Sequence, residues 1–194
     1  MISAQDFKTQ WNSDLEEFEE GLVPLAGESK YTSELPNEVI EFLSKAGLPD
    51  GAAPFLTFDT LGKHGLKKVY EVWGNPSDYS AAERDRLSPY FVIGTDGAGN
   101  PIAIDEDNNF SVVRLDHEDR FNTIEFMNSS VQQLAKFLLV VREMISDFLK
   151  SGIQRNSDDE IPIEFKKGVF DQLIEIDSYA VQDNGVWRTE IGML

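Results

Sequence analysis

The chain has 194 residues, 41% hydrophobic and 27% charged, with 17 basic against 35 acidic side chains and no cysteine. This composition is globular; it excludes disulfides, thiolate metal sites and cysteine nucleophiles, and a net charge of −18 argues against a phosphate-neutralising, nucleic-acid-binding surface. No apolar run approaches the roughly 20 residues of a membrane span and residues 1–11 lack the apolar stretch of a secretory signal, so one cytoplasmic domain with no membrane contact is expected.

Ser3 is placed to cap a first helix reaching about Phe18, with Phe7, Trp11, Leu15 and Phe18 at helical spacing. Glu16, Glu17, Glu19 and Glu20 crowd its end, where acidic groups oppose the helix dipole. A second helix is bracketed by Leu35-Pro36 and by Gly47 as a left-handed cap, with Leu48-Pro49 as a stop; Val39, Ile40, Phe42, Leu43 and Ala46 form its inner face. Residues 54–58 and 66–73 read as strands joined by a glycine-containing loop at 61–65, and 80–87 as one or two helical turns.

The centre of the chain is the most telling stretch. An apolar run at 90–93, a turn cluster at 94–100 and β-branched runs at 101–105 and 110–115 around the polar residues 106–109 predict a short antiparallel meander. Gly94, Gly97 and Gly99 are expected to supply positive φ in a hairpin; Pro101 and a β run follow them, where a dinucleotide site would need a helix. After a strand at 122–127, Ser129 and Gln132 stand at capping-box spacing before a long helix that ends near Gly152. Its stripe of Val131, Leu134, Leu138, Val141, Ile145 and Phe148 lies along the sheet for roughly 33 Å. A polar loop with Asp158, Asp159 and Glu160, a last helix carrying Val169, Phe170, Leu173 and Ile176, and Trp187 as an anchor complete the chain.

Residues that could carry chemistry are few. Asp105, Asp107, Asn109 and Asp116 follow the spacing of a calcium loop, but Phe110 occupies its glycine position and the flanks read as strands, so a polar hairpin turn is the better reading. The two histidines, His64 and His117, have no cysteine or second histidine in range to build a zinc site, and no serine is marked as a nucleophile. No catalytic, cofactor or metal residue is assigned. The carboxylates Asp105, Glu106, Asp107, Asp116, Glu118 and Asp119, read as lying at neighbouring strand ends against Arg114 and Arg120, form the candidate surface for a basic partner. The acidic end of the first helix competes with it.

The segments LPNEVIEFL at 35–43, AGLPDG at 46–51, FVIGTDGAGNPIAID at 91–105 and VRLDH at 113–117 resemble, in this order, the SUKH superfamily of bacterial immunity proteins over about residues 35–150. The resemblance implies an α+β fold, with N-terminal helices and a long C-terminal helix packed on a mostly antiparallel sheet. It implies a non-enzymatic protein that binds and neutralises a cognate toxin domain without a cofactor; the acidic composition adds the expectation of occlusion of a basic cleft such as a nuclease's. The family's Gly-Asp-Gly-like turn maps onto Gly94, Asp96, Gly97 and Gly99 as fold-determining residues. The toxin-facing surface does not transfer, because such surfaces vary with the toxin, and the oligomeric state stays open. A regulatory protein-binding scaffold of the same fold is the alternative, and a metal-assisted hydrolase using Asp105, Asp107 and His117 the third reading.

Overall fold

The computed structural model describes residues 1–14, 21–27, 30–156 and 160–194. The Ser3 hydroxyl accepts the Asp6 N–H at 3.1 Å and starts α1 (Ala4–Trp11), which turns Phe7 and Trp11 into the core. Leu15, Phe18 and the glutamates of the expected acidic helix end lie outside the described residues, as do Asp158 and Asp159. Pro36 precedes α2 (Asn37–Lys45), and Gly47, at φ +75, ends it as its position predicts. Leu48-Pro49, expected only as a stop, pairs as strand β2 (Leu48–Pro49) with β1 (Leu22–Val23).

Residues 54–58 and 66–73 are not the two strands that their composition predicts. The first makes isolated bridges, Ala52 to Leu56 and Thr57 to Thr95, and the intervening segment is a helix, α3 (Thr60–His64). In the second, β3 (Lys67–Lys68) is followed at once by α4 (Val69–Val72). The Glu71 carboxylate accepts the Lys68 N–H at 3.0 Å, and this local bond closes a helical turn that the β-branched sequence disfavours. Ser80 and Glu83 cap α5 (Ala81–Leu87) reciprocally, at 3.2 and 2.8 Å.

The meander forms as expected: β4 (Tyr90–Thr95), β5 (Pro101–Asp105) and β6 (Ser111–Leu115), joined by β7 (Ile124–Asn128). With β3 they make a five-stranded antiparallel sheet in the order β3-β4-β5-β6-β7. Its apolar runs are continuous because both faces are covered. Phe91, Ile93, Ile102, Ile104, Val112 and Met127 belong to a core shared with α1, α2 and the long helix α6 (Val131–Ser151). Tyr90, Val92, Ala103, Val113 and Leu115 face the other way, onto Val69, Tyr79, Leu87 and Phe121.

The cap of α6 lies one residue later than its sequence predicts. The Ser130 hydroxyl accepts the Gln133 N–H at 3.2 Å, whereas Ser129 gives its N–H and its hydroxyl to Asp177 at 2.7 and 3.0 Å. Two helices follow, α7 (Ile163–Asp177) and α8 (Val186–Gly192). Trp187 on α8 is fully buried, stacks edge-on to Phe137 at 5.1 Å, and donates its indole N–H to the Met127 carbonyl and Asn128 Oδ1 at 3.2 and 3.1 Å. Burying so large a ring with its polar atom satisfied contributes on the order of 3 kcal/mol. On the same side, Phe126 of β7 stacks on Tyr179 at 4.8 Å, so chain folded back from α7 lies over this end of the sheet. The opposite edge, β3, is two residues long and both are lysine. No helix among the described residues is long and apolar enough to cross a membrane.

Candidate partner-binding surface

The six carboxylates read as one patch are placed at two opposite ends of the sheet. Asp105 pairs with Ser111 at the start of β6, while Asp116 follows Leu115 at its end. Five residues of extended strand separate the groups by roughly 16 Å. The same separation parts Asp105 and Asp107 from His117, so the three groups of the hydrolase reading do not meet. Among the described residues, no group of three or more His, Asp or Glu side chains is placed to share a metal ion.

The end holding Asp105, Glu106 and Asp107 is largely occupied by its own structure. Asp105 is buried, and its Oδ1 accepts the Asp107 N–H at 3.1 Å. Glu106 and Glu34 face Lys68, at 4.0 and 3.4 Å. That lysine is itself buried, with its ammonium 3.2 Å from the centre of the Phe91 ring, and burial pushes its pKa down. Glu71 collects Lys30 at 2.6 Å and the Tyr31 hydroxyl at 2.9 Å. Of the three hairpin carboxylates, Asp107 alone is exposed, Glu106 being half-buried.

Burial raises the Asp105 carboxyl above its ordinary pKa, outweighing the hydrogen bonds from the Asp107 and Asn108 backbone that lower it. The native state therefore holds this proton more tightly than the unfolded chain, and the ionised side chain lowers stability above the folded pKa. Asp105→Asn should melt slightly higher than the parent at neutral pH and lose that advantage as pH falls through the folded pKa. Paired thermal melts at neutral and acidic pH check this.

At the other end the turn at 94–100 is built on Asp96. Its buried carboxylate accepts the Ala98 and Asn100 N–H groups at 3.0 and 2.8 Å and the Asn100 amide at 2.9 Å. Asn100 Oδ1 lies 3.1 Å from the His117 N–H and 2.7 Å from His117 Nδ1, tying the turn to the loop after β6. Arg114 closes the arrangement: it reaches Asp96 at 3.2 Å, Glu125 at 2.8 Å and Glu190 of α8 at 2.6 Å. Positive φ, expected of all three glycines, is confined to Gly99, at +91. A Cβ on Gly94 would overlap the Thr57 carbonyl oxygen and lie 2.6 Å from Phe58 Cδ1, and one on Gly97 would lie 2.9 Å from Phe55 Cβ. These two glycines admit the segment at 55–58 against the sheet, a contact that turn chemistry does not signal.

Around this turn, Asp119 accepts the Asn122 and Thr123 N–H groups and the Thr123 hydroxyl, at 2.9, 3.0 and 2.6 Å, and the hydroxyl above all holds its carboxyl below the usual range. Asp116 accepts the Glu118 N–H at 2.8 Å. A cavity of about 250 Å³ opens between Ala98, Asn100, Arg114, Asp116, His117, Glu118 and Glu125. Asp116 and Glu118 form no ion pair among the described residues. On the far flank of Gly97 stands Phe55, which is 62% exposed and left-handed, at φ +60. Phe110 and Phe121 are left-handed too, but Phe121 is buried against Trp73 and Phe110 packs on the core. For a non-glycine residue this conformation costs about 1–2 kcal/mol, which burying a phenylalanine ring offsets. Phe55 lacks that offset, and its sequence context, Ala-Pro-Phe-Leu, holds no sign of the conformation.

No curated protein and no solved structure matches the chain. The family model described as SUKH-4 immunity protein matches residues 12–191, which extends the resemblance well beyond 35–150, from the residue after α1 into α8. The acidic strand ends, the Asp96 turn and the two-faced sheet are thus features of a member of the SUKH-4 immunity protein family.

Proposed function

We propose that this protein neutralises a cognate toxin domain by binding and occluding it, without chemistry of its own, and that the toxin presents a basic surface such as a nuclease cleft. The match to an immunity family over residues 12–191 carries the reading. The net charge of −18 supports the choice of partner, since a carboxylate-rich surface competes with phosphate for a basic cleft and repels nucleic acid itself.

The toxin encoded by the adjacent gene is the partner to test. Co-expression should restore growth to cells producing it, and purified proteins should associate about tenfold or more slowly in high salt than in low salt, because screening shortens the steering field to roughly 8 Å at 0.15 M. Absence of both binding and protection would overturn the immunity reading. Salt-insensitive association would leave the neutralising role and remove the basic surface.

A further inference from the structure

We propose that Phe55 is the apolar anchor of the toxin-binding surface, rimmed by Asp50, Asp116 and Glu118. The inference rests on the immunity reading above and names the surface that serves it. Among the described residues three phenylalanines adopt the left-handed conformation, and Phe55 is the one whose ring is turned out to solvent. An unfavourable backbone state that packing does not repay points to a use for the exposed ring.

The ring is also rigidly presented. Ala52 and Leu56 exchange backbone hydrogen bonds at 2.8 and 2.7 Å, and Thr57 and Thr95 do the same at 2.9 and 2.8 Å, so the loop is clamped on itself and then to β4. Close approach to Gly97 fixes the ring's base. A large side chain held this way loses little freedom on binding, as in the aromatic anchors that dominate protein interfaces.

Charge identifies the occupant. Asp50 is exposed just before the loop, and Asp116 and Glu118 lie on the other flank of the same turn. Arg114, the cation between them, is already held by three carboxylates. An apolar anchor with a free acidic rim fits a basic protein surface bearing an apolar pocket. It does not fit an anion or nucleic acid.

The test uses the adjacent gene's toxin and four proteins: the parent, Phe55→Gly, the double variant Asp116→Lys with Glu118→Lys, and Asp107→Lys at the opposite sheet end as control. Glycine adopts φ +60 without strain, so Phe55→Gly should melt at or above the parent's temperature while dissociating at least about tenfold faster. The double variant should associate more slowly, and Asp107→Lys should stay near the parent. If the parent binds and Phe55→Gly binds within about twofold of it, the anchor is refuted and the immunity reading stands. A fall in melting temperature that accompanies the loss of binding makes the ring structural and overturns the inference. If the parent neither binds nor protects, the immunity reading fails and the anchor with it.

Discussion

Gly94→Ala should lower stability by about 3 kcal/mol, or roughly 6–12 °C in melting temperature for a chain of this size. Gly94 is buried in β4 beside a register shift, and its φ lies outside the left-handed region, so backbone strain is not the reason. The cost is steric. The added methyl would meet the Thr57 carbonyl and the Phe58 ring, and Phe58 is fully buried. Moving the segment away stretches both backbone hydrogen bonds between Thr57 and Thr95, each worth about 1 kcal/mol, and loosens the packing of Phe58. The same displacement moves the Phe55 loop, so toxin affinity should fall with stability, whereas Phe55→Gly separates the two. Chemical denaturation of Gly94→Ala beside Gly97→Ala, whose nearest neighbour is a surface side chain, is decisive; equal midpoints would show that the segment at 57–58 yields freely.

The second large effect is expected at Arg114. Its guanidinium is mostly buried and answers Asp96, Glu125 and Glu190. Asp96 and Glu190 have side chains only 5% and 12% exposed, so removing the cation leaves two carboxylates facing each other in a low-dielectric site. Losing one partner of such a cluster costs about 3–5 kcal/mol. Arg114→Ala should unfold at correspondingly lower denaturant, and α8 should open first, because Glu190 is the helix's charged tie to β6. Arg114→Lys should recover only part of the loss, since an ammonium cannot reach three carboxylates in one plane. Hydrogen exchange across residues 186–192 resolves the order of events; protection there equal to the parent's would show that the burial of Val186, Trp187 and Ile191 and the Lys166 bond to the Gly192 carbonyl hold the helix without the ion pair.

The meander was legible because its turn chemistry and its apolar runs agree, and the long helix because a strict three-four stripe runs to a glycine stop. Sequence pattern and structure part where a short local bond overrides propensity. Residues 69–72 have strand composition, yet a hydrogen bond from Lys68 N–H to Glu71 closes them into a helical turn. Ser129 and Ser130 are equivalent as caps on paper; Asp177, distant in sequence, takes the first and leaves the second for the helix. The six carboxylates do not form one patch for a geometric reason: residues 105–107 and 116–119 are close along the chain, but an intervening extended strand carries them to opposite ends. Asp96 was recognisable by the family's turn, its grip on Arg114 was not, and Phe55 left no signal, because nothing in Ala-Pro-Phe-Leu reports a left-handed phenylalanine.

The sheet's margins bear on how such a protein survives its own abundance. Open strand edges recruit one another into aggregates wherever a protein is concentrated. Here one margin is only Lys67 and Lys68, too short to template another strand, and at the other the chain returning from α7 stacks Tyr179 onto Phe126 and sets the Trp187 indole on the Met127 carbonyl. With −18 charges repelling neighbouring copies, the fold is suited to being stockpiled in readiness while its rigid aromatic tip stays exposed for the target.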